Sequence, residues 1–501
     1  MPEHNLPRYQ LIREQLRTDI LNDALPHGSR LPAITDLARD FSVTAATIRR
    51  ALQDLTAEGL VHSHVGRGTF VHNPLEAASD ITPREYGAAA GTGQPAEAAA
   101  APRARQIRPR GQQALTDLLT LAQRPGVIAF TRGVGDPDTI AKGTLTELTR
   151  RALASGEELF LDYGDPRGLP GLREAIAALY TARGAKVTSE QVLVTSGSQQ
   201  AISLMAQLAA EHAMPVWCET PCYSGVVNAF QAFGPELSAL PRGESGPDPA
   251  IIPARDNNLL YICPVIHNPT GLNVSGEGRR TLADWASHGN LLLSDEVFSD
   301  LQFEGPAVPS FLSDPGPEHA AVLGSLSKSF ISGLRVGWII TSESRVRELT
   351  ALKKSLDLGC PPLMQGIAQA FLTDRDGYTA HGMRMRERYR MLRDTALASL
   401  ERHMPSCVRW TRPEGGFQLW VTLPEGLSSV QLYLKAVEYG AAFLPGPLQD
   451  LEGGYLNSFR LCYGTLSPAE IETGIERIGR AVRELLEPAA PGGPDGHLVY
   501  V

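Results

Sequence analysis

The sequence predicts an α/β protein built in two unequal parts, and three observations carry that reading. Residues 1–73 place apolar side chains at helical spacing and then give two short β-rich runs. Residues 74–110 are rich in Ala, Pro, Gly and Arg and poor in large apolar side chains. They cannot bury a core and read as a flexible linker. From 111 to 486, apolar strand-like runs alternate with amphipathic helical patterns, the rhythm of a sheet covered by helices. Residues 487–501 read as a frayed tail.

Composition removes several classes. Hydrophobic residues at 43% and charged residues at 20% exclude collagen, wholesale disorder and a coiled-coil rod. No stretch reaches the ~18 apolar residues of a membrane helix. The opening MPEHNLPRYQ has no apolar core of a secretory signal. Six scattered Cys are too few for a disulfide scaffold, so a reducing cytoplasm is expected. A net charge of −9 excludes polyanion binding by bulk charge.

In the first part, Tyr9, Ile12, Leu16 and Ile20 predict an amphipathic helix over 8–24. PHGSRLP breaks it. Ile34, Leu37, Ala38 and Phe41 predict a short second helix. Thr44 can cap a third, which runs through Ile48, Leu52 and Leu55 and stops near Gly59. LVHSHVGRGTFV then reads as a hairpin. Three helices, a tight turn and a hairpin make a winged helix-turn-helix, whose third helix enters the DNA major groove.

The candidate DNA contacts are Arg30, Thr44, Thr47, Arg49, Arg50 and Arg67, with Ala45 beside them. Arginine forks onto guanine or phosphate. The charge balance runs the other way. Residues 1–80 hold eight Arg, no Lys and ten Asp or Glu, a net of −2. The linker returns five Arg against two Glu over 81–114. A structural three-helix module with surface arginines shares the bare pattern. However, PRYQLIREQLRTDI, GSRLPAITDLARDFSVTAATIRRALQDLTAEGL and GRGTFV together resemble the GntR family of bacterial regulators. The family usually has an Arg after the first hydroxyl residue of the recognition helix; here the helix opens TAAT, which shifts readout toward Arg49 and Arg50.

In the second part, GSLSKSFISGLRVGW sets Lys328 among small and apolar neighbours, as a desolvated, imine-forming amine requires. Arg335 follows seven residues on and could bind a phosphate, with Ser325 and Ser327 adding hydroxyls. NLLLSDEVF is an apolar strand ending in Asp295, at the edge where open α/β sheets bind ligands. Such an acid can keep a pyridine nitrogen protonated; taken alone it reads better as a helix N-cap or turn aspartate. LLYICPVIHNPTG places Asn268 after another strand, where its amide can donate to a phenolic oxygen. VLVTSGSQQAISLMAQLA is strand, glycine turn and helix, and the N–H groups around Gly197, Ser198 and Gln199 suit a phosphate. PCYSG supplies Tyr223, which could stack on a planar ring, although taken alone it reads better as a core tyrosine.

In order, SGSQQ, PCYSG, HNPTG, SDEVF, SLSK and GLRVGW resemble the fold-type I aminotransferases, which use pyridoxal 5′-phosphate. The resemblance covers about 111–485. It implies an α/β/α body with a small C-terminal α+β subdomain. It assigns Lys328 and Asp295 as catalytic, the lysine holding the coenzyme as an aldimine. Ser198, Gln199, Ser325 and Arg335 hold the phosphate. Tyr163, in YGDPRGLPGLREAIA, reaches the phosphate of a neighbouring subunit. Arg460, in SFRLCYG, grips the substrate carboxylate. Three residues after the aspartate these enzymes often carry a Tyr that donates to the phenolic oxygen, and here Phe298 stands there. Its loss predicts a raised aldimine pKa and slower exchange of amines.

Other motifs receive blander readings. Cys218 and Cys222 are core or strand-end thiols rather than metal ligands. His62 and His64 belong to the wing. MRMRERYRMLRD reads as an exposed helix face.

The combination resembles the MocR family of regulators. It implies a homodimer that binds double-stranded DNA and senses an amine, an amino acid or the coenzyme. An aminotransferase carrying a DNA-binding appendage is the alternative, and a module making protein contacts only is a third.

Overall fold

The computed structural model describes residues 8–21, 25, 28–41, 43–57, 60–64, 68–71, 119–235, 237–254, 257–451 and 453–487. The chain forms two compact units, Met1–Pro125 and Gly126–Val501.

In the first unit, helices Arg8–Leu21, Ile34–Asp40 and Ala45–Ala57 precede an antiparallel pair, Val61–His64 with Gly68–Val71. The predicted periodicity is what is buried. Ile12, Leu16, Ile20, Leu37, Ile48, Leu52, Leu55, Val61 and Val71 form one apolar cluster. Thr44 starts the third helix, its Oγ1 accepting from the Thr47 backbone N–H at 3.3 Å. The Leu31 N–H bonds to the Thr69 carbonyl and ties the chain ahead of the second helix to the wing. Gly59 and Arg67 lie outside the described residues.

The second unit is an eight-stranded sheet between two helical layers. Its strand order is Val192–Thr195, Gly337–Ile340, Ala320–Ser325, Leu291–Asp295, Leu259–Ile262, Val216–Thr220, Leu237–Gly243, Gly246–Pro247. The central pairs are parallel, and Gly337–Ile340 runs antiparallel to both neighbours. Strands buried on both faces read as continuous apolar runs, which explains VLVT, LLYI, LLLS and AAVLG. Alternate residues feed two cores. Leu260, Leu292 and Val322 pack on one face, and Tyr261, Leu293 and Leu323 on the other. Cys218 and Cys222 sit in the second of these cores.

A smaller antiparallel sheet follows, ordered Arg409–Trp410, Gln418–Thr422, Ser458–Cys462, Leu444–Pro445. The helix Pro468–Leu486 belongs to the same region of chain. The first strand of the unit, Ile128–Ala129, pairs in parallel with Ala441–Ala442 beside this sheet. Next to that pair, the Cys462 N–H donates to the Phe130 carbonyl at 2.9 Å.

One expectation needs correction. The run MRMRERYRMLRD lies in the helix Arg375–His403, but Met385, Tyr389, Leu392 and Arg393 are buried. Their spacing of four, three and one sets a buried stripe within a charged run, because a helix with mixed charge can still present one apolar edge. Arg388, on the same run, pairs with Asp136 at 3.0 Å.

Candidate functional site

Parallel strands present their C-terminal ends on one edge, and the site residues of the body are carried there. Asp295 is the last residue of Leu291–Asp295 and is buried. Its Oδ2 accepts from the Tyr261 hydroxyl at 2.9 Å, and its Oδ1 from the Val297 N–H at 3.3 Å. Burial pushes its carboxyl pKa up, while these two donors and the Lys328 charge pull it back.

Lys328 follows the neighbouring strand Ala320–Ser325, on the short helix Leu326–Ser329. Its Nζ donates to the Gly133 carbonyl at 2.5 Å and lies 5.8 Å from the centroid of the buried Phe298 ring. Burial, and after it the Arg460 charge, lowers its pKa. That favours the neutral amine, the form that attacks an aldehyde. Ser325 caps this helix: its Oγ accepts from the Ser327 N–H at 3.1 Å and lies 3.0 Å from the Ser327 hydroxyl.

Gly197 and Ser198 open the helix Ser198–Glu211, which begins three residues after the strand Val192–Thr195 ends and has no side-chain cap on its first N–H groups. Gly197 has φ +91°, and a Cβ there would meet the Arg335 guanidinium at 2.7 Å. Arg335 donates to the Ser196 carbonyl at 3.0 Å and so stands beside the turn. Gln199 gives its amide N–H to the Gly225 carbonyl at 2.9 Å, and its Oε1 is buried without a partner. Tyr223 is half-buried next to Gly225, and both burial and the Asp295 charge push its pKa up.

Arg460 comes from the smaller sheet, on Ser458–Cys462. It donates through Nη1 to Asn268 Oδ1 at 2.8 Å and through Nη2 to the Thr131 carbonyl at 3.2 Å, while its buried Nε has no partner. Lys328, Arg335 and Arg460 make no ion pair among the described residues. One buried carboxylate, a buried lysine, two arginines without ion-pair partners among the described residues, a helix N-terminus and two aromatic rings therefore share one edge. Tyr163 is apart from this group and 69% exposed.

In the first unit, Arg30, Thr44, Arg49 and Arg50 are exposed and Thr47 is half-buried. Arg50 is engaged locally, 3.7 Å from Asp54 and over the Tyr9 ring. Arg30 lies against Gly68 of the wing, where a Cβ would come within 2.5 Å of its Nε. His62 stacks on Phe70.

Sequence reasoning missed Tyr261, Gly133 and Thr131. Tyr261 is a lone polar atom in an apolar strand, and its meaning depends on which strand lies beside it. The two carbonyls have no side-chain signal at all.

Comparison with known proteins agrees with the geometry. Residues 133–478 match the model of aminotransferase class I and II, and residues 8–71 match that of bacterial regulatory proteins, gntR family. The chain belongs to the class I and II aminotransferase family and carries a GntR-type helix-turn-helix domain ahead of it: it is a DNA-binding regulator fused to a pyridoxal-phosphate aminotransferase-like domain. Full-length relatives narrow this to a type consistent with the MocR subfamily. The uncharacterized HTH-type transcriptional regulator YdfD of Bacillus subtilis is 29% identical over 96% of this chain and 97% of its own. The probable rhizopine catabolism regulatory protein MocR of Rhizobium meliloti is 25% identical over 95% and 94%. Among solved structures, LysN, the α-aminoadipate aminotransferase of Thermus thermophilus, complexed with N-(5′-phosphopyridoxyl)-L-leucine, covers 74% of this chain and 95% of its own at 32% identity, with a TM-score of 0.67. No helix among the described residues is long and apolar enough to cross a membrane.

Proposed function

We propose that the body is a sensor for a small amino compound bearing an anionic group, and that its occupancy sets the affinity of the helix-turn-helix unit for DNA. The observation that carries this is that Lys328, Arg335 and Arg460 stand around Asp295 without an ion-pair partner among the described residues. A buried guanidinium such as Arg460 is costly without a carboxylate unless a ligand completes it, and the exposed Arg335 beside the helix N-terminus adds a second anchor, which supports a site built for anions. The residues fit pyridoxal 5′-phosphate. Arg335 and the N–H groups at Ser198 and Gln199 would hold its phosphate, Asp295 its ring nitrogen, Asn268 its phenolic oxygen and Lys328 its aldehyde, with Tyr223 against the ring. When bound, the coenzyme supplies an aldehyde that condenses with amines and a ring that accepts electrons.

The chain's own residues do the rest. Burial and Arg460 lower the Lys328 pKa and so favour its neutral form, whose nitrogen can bond reversibly and give way to an incoming amine. Arg460 reads a carboxylate or similar group on that amine. A ligand that binds two conformations of the body unequally shifts their populations, and only that difference can reach the DNA-binding unit. A homodimer is part of this reading. Tyr163 and Leu161 stand exposed at 69% and 81%, which supports their burial by a second copy. The first unit meets DNA through Arg30, Thr44, Thr47, Arg49, Arg50 and Arg67.

The test is an absorption scan of the coenzyme-loaded full chain against a panel of amines and amino acids, with DNA affinity measured in parallel. One compound should shift both the spectrum and the affinity. Multiple turnover to keto acid with no change in DNA affinity would overturn the sensor reading in favour of an enzyme.

A further inference from the structure

Tyr261 has no place in the site as read from sequence. It lies on the strand Leu259–Ile262, paired in register with Leu293 on the strand that ends in Asp295. Asp295 is two residues beyond Leu293, so all three side chains point to the same face of the sheet. The Tyr261 ring is 1% exposed, and its hydroxyl reaches the Asp295 carboxylate at 2.9 Å. Burial holds the Tyr261 pKa well above that of a free phenol, so it keeps its proton and remains a donor.

A buried carboxylate takes up a proton unless donors or cations hold it ionised. Asp295 has no ion pair among the described residues. Its second donor, the Val297 N–H, is longer at 3.3 Å. Tyr261 is therefore the strongest local support for the charged form, and it fixes the plane of the carboxylate at the same time.

We propose that Tyr261 is a positioning residue that keeps Asp295 ionised and oriented for a protonated ring nitrogen. This rests on the proposed coenzyme site. Tyr261 acts only through Asp295 and touches neither coenzyme nor substrate.

The test is a double-mutant cycle on the full chain, titrated with pyridoxal 5′-phosphate and followed by its absorption spectrum. Tyr261→Phe should weaken coenzyme binding about tenfold at neutral pH, the scale of one hydrogen bond to a charged group. The loss should deepen as pH falls, because the unsupported carboxyl protonates at a higher pH. In an Asp295→Asn background the same substitution should change affinity less than twofold. Equal losses in both backgrounds would show a general packing role and overturn the proposal, as would a Tyr261→Phe protein with unchanged affinity and pH profile. If Asp295→Asn alone leaves binding unchanged, it is the coenzyme-site reading that fails. Near-ultraviolet circular dichroism of each apo-protein separates misfolding from these outcomes.

Discussion

Arg460 and Asn268 hold each other at 2.8 Å, with the guanidinium donating and the amide oxygen accepting. Two consequences follow for Asn268. Its oxygen is engaged, and its amide nitrogen is the end left to face a ligand. The residue expected to meet an anion thus also orients the residue expected to meet a phenolic oxygen. Asn268→Asp would convert this bond into a buried ion pair. The carboxylate would then occupy Arg460 and repel an incoming anion. Amino-acid binding by the coenzyme-loaded protein should weaken at least tenfold, the scale of one charged hydrogen bond. Isothermal titration with an amino acid that binds the wild-type chain checks it.

Arg460 also bears on Lys328 through its charge. It is the largest cause, after burial, of the lowered lysine pKa. Removing a nearby positive charge makes protonation easier, so Arg460→Gln should raise the Lys328 pKa. Coenzyme attachment requires the neutral amine and speeds up as pH rises. The midpoint of that rise should therefore move upward in the variant, and attachment at neutral pH should slow. Stopped-flow absorbance across a pH series gives the midpoint. An unchanged midpoint would contradict the assigned cause.

The turn at Gly197 is closed from below by Gly337. A Cβ at Gly337 would lie 2.7 Å from the Gly197 carbonyl carbon and 2.8 Å from the Ser198 nitrogen, both backbone atoms that cannot rotate away. Gly337→Ala should displace the helix N-terminus proposed to hold phosphate. Affinity for pyridoxal 5′-phosphate should fall about tenfold or more, while affinity for pyridoxal, which lacks the phosphate, should change little. Parallel titrations with the two compounds decide it.

Among the arginines of the third helix, Arg49 and Arg50 differ in surroundings. Arg50 is shared with Asp54 and the Tyr9 ring, whereas Arg49 is exposed and forms no ion pair among the described residues. Arg49→Ala should weaken DNA binding more than Arg50→Ala. If Arg49 meets a phosphate, its loss should also reduce the slope of log affinity against log salt by about one. Fluorescence anisotropy with a labelled duplex at several salt concentrations measures both.

Much of this architecture was legible because strong periodicities and chemically distinctive residues coincide. Ile12, Leu16, Ile20, Ile48, Leu52 and Leu55 are the core of the first unit as their spacing implied. Lys328, Asp295 and Asn268 come from separate stretches of sequence and are carried to one edge because each follows or ends a strand of the same sheet, and Arg335 joins them just ahead of the antiparallel strand Gly337–Ile340. What was hidden depends on lateral neighbours. Tyr261 meets Asp295 only because their strands are adjacent, and strand order is not written in local pattern. Gly133 and Thr131 act through carbonyls, which every residue possesses. The charged run of the helix Arg375–His403 misled because its buried stripe is interleaved with arginines whose aliphatic stems tolerate a mixed surface.

The parallel pair of Ile128–Ala129 with Ala441–Ala442, and the bond from the Cys462 N–H to the Phe130 carbonyl, have a mechanical meaning. They stitch the leading edge of the body to the smaller sheet, which bears Arg460, while the Gly133 carbonyl a few residues on accepts from Lys328. The segment 128–133 therefore links the residue expected to meet an anion, the lysine expected to meet the aldehyde and the chain that runs back toward the N-terminus. Under the proposed reading, that shared strip of backbone at the hem of the body is where both halves of a bound ligand would be felt at once.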